Sequence, residues 1–264
     1  MVSGDQVEAN LRQAEDLLDK AAGDGAEFAL LPEYFPIISD NEKAKLEIVE
    51  DYGNGPLQQW LAAQAKKYAI WLMAGTVPLR TENPALVASA CLLYTPGGEC
   101  VARYDKMHLF DVCVSREDEE SYNESDTILA GRDIVTADIP PGTLGLTICY
   151  DLRFPELYRE LVQRGASIFT VPAAFTYSTG RRHWALLLSA RAVENLSFVI
   201  ASNQGGQNTE NRRTWGHSMI IDPWGNILAE LEEGPGVACA ELDMERLESL
   251  RNSFPALDHR IVGV

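Results

Sequence analysis

The chain has 264 residues, 46% of them hydrophobic and 23% charged, which is enough apolar material for a sizeable core. Its formal net charge of −17 repels phosphate backbones and anionic lipid heads, so neither nucleic acid nor a membrane surface is expected as a partner. No apolar run reaches the ~18–20 residues of a bilayer span, and five cysteines without a Cys-x-x-Cys pair argue for reduced, cytoplasmic thiols over disulfides or zinc.

Asp5 and Glu8 form a capping-box pattern, and Val7, Leu11, Ala14, Leu18 and Ala21 follow at helical spacing until Gly23 and Gly25. Residues 26–31 read as a short buried strand ending at Pro32-Glu33, and Pro56 opens a helix over 56–69. Strands are expected at 71–77, 88–94 and 100–104, with a turn at Pro96-Gly97-Gly98. Residues 111–126 read as an acidic, polar connection. A strand over 143–149 leads into Cys149, a helix runs from Pro155 to about Arg164, and 167–172 is again a strand. His183 to Asn195 reads as a helix, 198–202 as a strand, and 217–221 with 227–231 as a hairpin. The last strand is expected at 237–242 and the last helix at 244–253. Strands and helices alternate without a linker or repeat, so 1–264 reads as one α/β domain.

Three polar residues share one kind of position. Glu33, Lys106 and Cys149 each follow a predicted strand, and in open α/β sheets chemistry gathers at strand C-termini. A thiol before a helix is exposed to a cleft, and the helix's positive end favours its thiolate. The position alone leaves a buried, inert cysteine as an equal alternative. A lone Glu or Lys at a strand end is more often a solvated charge. No histidine stands out as a base: His183 opens a helix, His217 a strand, His259 is near the terminus, and His108 and His183 are candidates only for a pocket wall.

Leu-Pro-Glu at 31–33, Tyr-x-Lys-x-His-Leu-Phe at 104–110 and Ile-Cys-Tyr-Asp-x-Arg-Phe-Pro-Glu-Leu at 148–157 resemble the three signature segments of the carbon–nitrogen hydrolase (nitrilase) superfamily. Similar stretches at 173–180, 183–195 and 216–225 extend the resemblance over nearly the whole chain. It implies a four-layer αββα sandwich and a Glu33–Lys106–Cys149 triad. Cys149 would be the nucleophile, Glu33 the base, and Lys106 with the Tyr150 N–H the holders of the oxyanion. Glu-Ser-x-Thr at 124–127 resembles the place of a second, substrate-positioning glutamate, which singles out Glu124 from Glu117, Asp118, Glu119 and Glu120 nearby.

The resemblance further implies hydrolysis of a small carboxylate-bearing amide, with Arg153, Phe175 and His183 as substrate contacts and with no metal or organic cofactor. Deaminated glutathione is the expected substrate; α-ketoglutaramate, an aliphatic nitrile, or a non-catalytic scaffold are the alternatives. An arginine among Arg153, Arg181, Arg182, Arg212 and Arg213 is expected to take a substrate carboxylate, because guanidinium pairs with it bidentately. Arg181-Arg182 and Asn203 depart from the small residues usual there. Family members commonly pair subunits, so a homodimer or larger is expected. They also begin with a buried strand of which Met1-Val2-Ser3 resembles only the end. An open slot beside 26–31, with residues 1–3 extended along it, is therefore expected.

Overall fold

The computed structural model describes residues 1–115 and 120–262. Helix α1 (Val7–Gly23) is followed by strand β1 (Phe28–Leu30), the short α2 (Ala44–Glu47) and α3 (Pro56–Tyr68). Strands β2 (Trp71–Arg80), β3 (Val87–Tyr94) and β4 (Cys100–Asp105) complete a four-stranded sheet in the order β1-β2-β3-β4, with β1 parallel to β2 and the rest antiparallel. A hairpin of β5 (Asp111–Ser115) and β6 (Glu120–Asn123) then runs into a 3-10 turn over Glu124–Asp126. The second half supplies β7 (Thr136–Ile139), β8 (Gly142–Leu146), α4 (Pro155–Gln163), β9 (Ile168–Ala173), α5 (Tyr177–Asn195) and β10 (Phe198–Asn203). After the small pair β11 (Gly205–Gln207) and β12 (Arg213–Trp215) come β13 (Met219–Ile221), β14 (Ile227–Glu230) and α6 (Met244–Ser253). The six-stranded sheet runs β14-β13-β10-β9-β8-β7, with β8, β9 and β10 parallel.

Side-chain alternation stacks these elements into four layers. In β3, Ala90 and Leu92 face Leu57, Leu61 and Ala65 of α3 and Ala14 and Leu18 of α1, whereas Cys91 and Leu93 face the other sheet. There they meet Leu144, Leu146, Phe169 and Val171, and beyond that sheet lie Leu157 and Leu161 of α4 and Trp184, Leu188 and Ala192 of α5. The αββα sandwich is thus present, with the C-terminal ends of β8 and β9 turned toward the site described below.

Several elements differ from their sequence pattern. Asp5 does not cap α1: the N-cap is Gln6 without a side-chain bond, and the buried Asn10 amide instead holds the Gly4 N–H and carbonyl at 2.9 and 2.8 Å. The polar stretch 111–126 is a hairpin rather than a plain connection; Glu117, Asp118 and Glu119 lie outside the described residues. Helix α5 starts at Tyr177, six residues before His183, because the Thr176 hydroxyl caps the Thr179 N–H at 3.3 Å. Gly180 there packs on Trp215, with room for no side chain. Residues 237–242 form no ladder. They line a slot of about 710 Å³ together with the free edge of β1 and residues of α1, β10 and β13. Against the expectation, residues 1–3 do not pair with β1: the Met1 carbonyl accepts from Gly205 N–H at 3.0 Å, and the Ser3 N–H donates to Gln204 Oε1 at 3.0 Å. Among the described residues no helix is long and apolar enough to cross a membrane.

One close approach ties the first sheet to the site. The ladder of β2 on β3 is irregular between Ala74 and Val77, and a Cβ added to Gly75 would lie 1.7 Å from the Pro32 carbonyl oxygen. Backbone on both sides leaves nothing flexible to yield. Gly75→Ala should therefore cost about 1–3 kcal/mol, the usual range for overpacking, and displace Glu33. Urea unfolding with an unchanged midpoint would show that the strand yields freely.

Candidate active site

Each reacting group is placed by a different turn. Glu33 leaves β1 through Pro32; its backbone carbonyl accepts from Gln204 Nε2 at 3.1 Å. Lys106 leaves β4, its N–H bonded to the Ser89 carbonyl at 3.0 Å and its carbonyl to the Gly131 N–H at 2.8 Å. Cys149 follows β8 and opens a 3-10 turn over Cys149–Arg153, not the strand end itself, with φ at 48°. Such a backbone is sparsely populated by non-glycine residues and persists only where surroundings fix it. The buried Asp151 carboxylate does so. It accepts from the Ile148 N–H (2.9 Å), the Tyr104 hydroxyl (2.7 Å) and the His108 N–H (3.1 Å), and meets His108 Nδ1 at 2.7 Å. Buried Arg191 on α5 grips the Leu152 carbonyl of the same turn at 2.8 and 3.0 Å.

The three side chains converge. Lys106 is fully buried, with Nζ 2.8 Å from Glu33 Oε1 and 2.7 Å from Glu124 Oε2. The second oxygen of Glu33 accepts from the Ala174 N–H at 2.9 Å. Glu124 is the more saturated carboxylate: it also accepts from the Phe110 N–H at 2.8 Å and the Tyr34 hydroxyl at 2.7 Å. Glu33, Glu124, Cys149 and Tyr150 all line one cavity of about 670 Å³.

Environment splits the two glutamates. Burial raises the pKa of both, but at Glu124 the Lys106 charge and three donors outweigh it and hold the carboxyl below its ordinary range. At Glu33 burial wins over Lys106, and the negative Glu124 adds to it, so its pKa is raised. The Lys106 ammonium loses from burial yet gains more from its two carboxylates, and its pKa ends above its ordinary value. Burial first, and Glu33 second, push the Cys149 thiol well above its usual value. This reverses the expectation of a thiolate favoured by the following helix. A thiol 9% exposed beside carboxylates keeps its proton at rest and needs a base to lose it.

Of Arg153, Phe175 and His183, only Phe175 lines the cavity, and of the five arginines expected to take a carboxylate only Arg212 does. Arg153 and His183 pair with each other at 3.3 Å, and Arg153 lies over the Phe175 and Tyr150 rings, outside the lining. His108 stacks on Phe154 at 3.7 Å and serves Asp151. Arg181 and Arg182 are exposed on α5, and Arg213 pairs with Glu233. Asn203 supports the cavity from below: its amide accepts from Phe175 N–H at 2.9 Å and donates to the Gly216 carbonyl at 2.7 Å. The arginine in the cavity wall is Arg212, its guanidinium over Tyr34 and Tyr122, 5.5 and 5.9 Å from the ring centroids. Its loop hangs on Asp40, which accepts from Thr209 and Asn211 across 169 and 171 residues of sequence. No local pattern marks that contact. Tyr34 was legible only as the neighbour of Glu33.

The model of the carbon–nitrogen hydrolase family matches residues 4–252. The chain is 44% identical to a deaminated glutathione amidase of Synechocystis sp., covering 99% of this chain and 96% of that one. It is 38% identical to a deaminated glutathione amidase of Yersinia enterocolitica, over 98% and 90% of the two chains. Its backbone superposes on Saccharomyces cerevisiae Nit3, a member of branch 10 of the nitrilase superfamily, with a TM-score of 0.86 and 29% identity over 97% and 92% of the two chains.

A raised Glu33 has a measurable sign. A carboxyl accepts the thiol proton only when ionised, so reactivity is lost as pH falls through its pKa. Alkylation of Cys149 by iodoacetamide should therefore decline through an acid limb above the ordinary glutamate range. A limb at the ordinary value, or a rate without one, refutes Glu33 as the proton acceptor.

Proposed function

The chain belongs to the carbon–nitrogen hydrolase family, and on that premise we propose that it is an amidase of deaminated glutathione, releasing α-ketoglutarate and cysteinylglycine. What carries the reading is one buried ammonium shared by two glutamates beside Cys149, in a chain resembling amidases of that name over nearly its full length. As the Cys149 sulfur attacks the amide carbonyl carbon, Glu33 takes the thiol proton. The oxyanion is held by the Lys106 ammonium and by the N–H of Tyr150, which stands at the start of a 3-10 turn, where such groups have no acceptor within the helix. Collapse breaks the C–N bond, and the leaving amine takes the proton from Glu33. Water, deprotonated by the same carboxylate, then cleaves the thioester and restores the thiol. Glu124 stays ionised throughout and keeps Lys106 charged and in place.

Arg212 is the residue that takes a substrate carboxylate, with Phe175 beside the acyl chain. Unpaired thiols at all five cysteines suit a reducing, cytoplasmic setting. A second copy of the chain covers the exposed apolar face of Leu186 and Val193 on α5 with Trp224 and Phe254. Sedimentation velocity should give a dimer or larger, and a monomer at micromolar concentration refutes this pairing.

The decisive assay compares kcat/KM on deaminated glutathione, α-ketoglutaramate and an aliphatic nitrile. The first should be preferred; preference for the nitrile overturns the reading. Cys149→Ala should abolish turnover with the fold retained. Arg212→Leu should raise KM about 10–100-fold, as expected for a lost charge-assisted pair, and leave neutral amides unaffected.

A further inference from the structure

Tyr34 directly follows Glu33 and carries φ at 55°, a backbone conformation that is a genuine outlier for a bulky residue. The turn is pinned by its own N–H, which donates to Thr76 Oγ1 at 2.9 Å. It sends the phenol into the cavity, where the hydroxyl donates to Glu124 Oε1 at 2.7 Å. The ring has a cation near it from each of two other segments: Lys45 Nζ at 5.4 Å and Arg212 Cζ at 5.5 Å from its centroid. Both cations contact Glu42, Lys45 at 2.8 Å and Arg212 at 3.5 Å. One side chain thus touches the carboxylate that holds Lys106 and the guanidinium assigned to the substrate.

We propose that Tyr34 is a positioning residue that couples the two halves of the site: its hydroxyl locks Glu124 in its ionised form on Lys106, and its ring seats Arg212. The inference rests on the amidase reading for the role of Arg212, but not for the lock on Glu124. The groups facing that lock are few. Glu124 meets Lys106, the Phe110 N–H and the Tyr34 hydroxyl, with the charge of Glu33 and the Cys149 thiol beyond them. Tyr34 meets Glu124, the charge of Glu33, Arg212 and Lys45. Burial, with Glu124 and Glu33 adding to it against Arg212, keeps the phenol protonated. It is therefore a donor at every working pH. Deleting that donor leaves Glu124 easier to protonate, and a neutral Glu124 no longer holds Lys106 toward the oxyanion.

The two contacts separate by substitution. Tyr34→Phe keeps the ring and loses the hydroxyl; Tyr34→Leu loses both. Tyr34→Phe should lower kcat about tenfold or more, the typical effect of losing a hydrogen bond to a charged group, with KM within about twofold. It should also move the acid limb of kcat/KM to higher pH, where a neutral Glu124 releases Lys106, and that of Cys149 alkylation to lower pH, because a neutral Glu124 no longer raises the Glu33 pKa. Tyr34→Leu should in addition raise KM for the dianionic substrate several-fold. A merely structural tyrosine would change melting temperature and both constants together, without moving the limb. The proposal is overturned if Tyr34→Phe leaves the limb in place, or if the leucine variant, folded by circular dichroism, keeps the wild-type KM. Should the wild type turn over none of the amides, the amidase reading fails on its own. The alkylation limb of the isosteric Tyr34→Phe variant then still decides the lock.

Discussion

The site depends on a single fully buried ammonium. Removing a charge from water is unfavourable by several kcal/mol unless the interior supplies opposite charge and hydrogen bonds. Lys106 receives both from Glu33 and Glu124, which come from 73 residues before it and 18 after it. Only a fold that brings the ends of β1 and β4 and the turn after β6 to one point satisfies it. The sandwich therefore does more than bury apolar surface: its four-stranded sheet and the β5–β6 hairpin align three chain segments around one cation, and Cys149 enters from the six-stranded sheet.

Two carboxylates around one cation cannot have equal character. Glu33 is the deeper of the two, its side chain 1% exposed against 11% for Glu124, and they differ further in their donors. Glu124 has Tyr34, Phe110 and the Lys106 ammonium on both of its oxygens; Glu33 has one contact with Lys106 and the Ala174 N–H. In the proposed mechanism the saturated glutamate is the fixed counterion and the less saturated one the proton carrier. The Cys149 turn follows a similar principle, with Asp151 taking four contacts so that a disfavoured backbone holds its shape before any substrate arrives.

The layered α/β architecture and the convergence of Glu33, Lys106, Cys149 and Glu124 were legible because strand ends and short local segments carry them. Helix α3 was read almost to the residue, since Pro56 fixes its start. What escaped the sequence depended on long-range partners. Thr176 moves the start of α5 well ahead of His183, and residues 237–242 line a slot shared with β1 and join no ladder. Arg212 was one of five arginines that the sequence offered, and what singles it out is a loop anchored on Asp40 that no periodicity announces, whereas Arg153, within the turn of Cys149, points to His183. The thiol differs from its expected state because burial first, and then the Glu33 carboxylate that the other sheet brings beside it, outweigh the helix end.

The protonated Cys149 bears on the lifetime of the protein as well as its chemistry. Peroxide attacks thiolates, and the route from sulfenic to sulfinic acid begins only with sulfur that has already lost its proton. In the proposed mechanism, where that proton leaves to Glu33, the sulfur presents little thiolate to oxidants between turnovers. Burial at 9% exposure narrows their access further. The arrangement that makes the sulfur wait for an amide thus also shields it from oxidative loss.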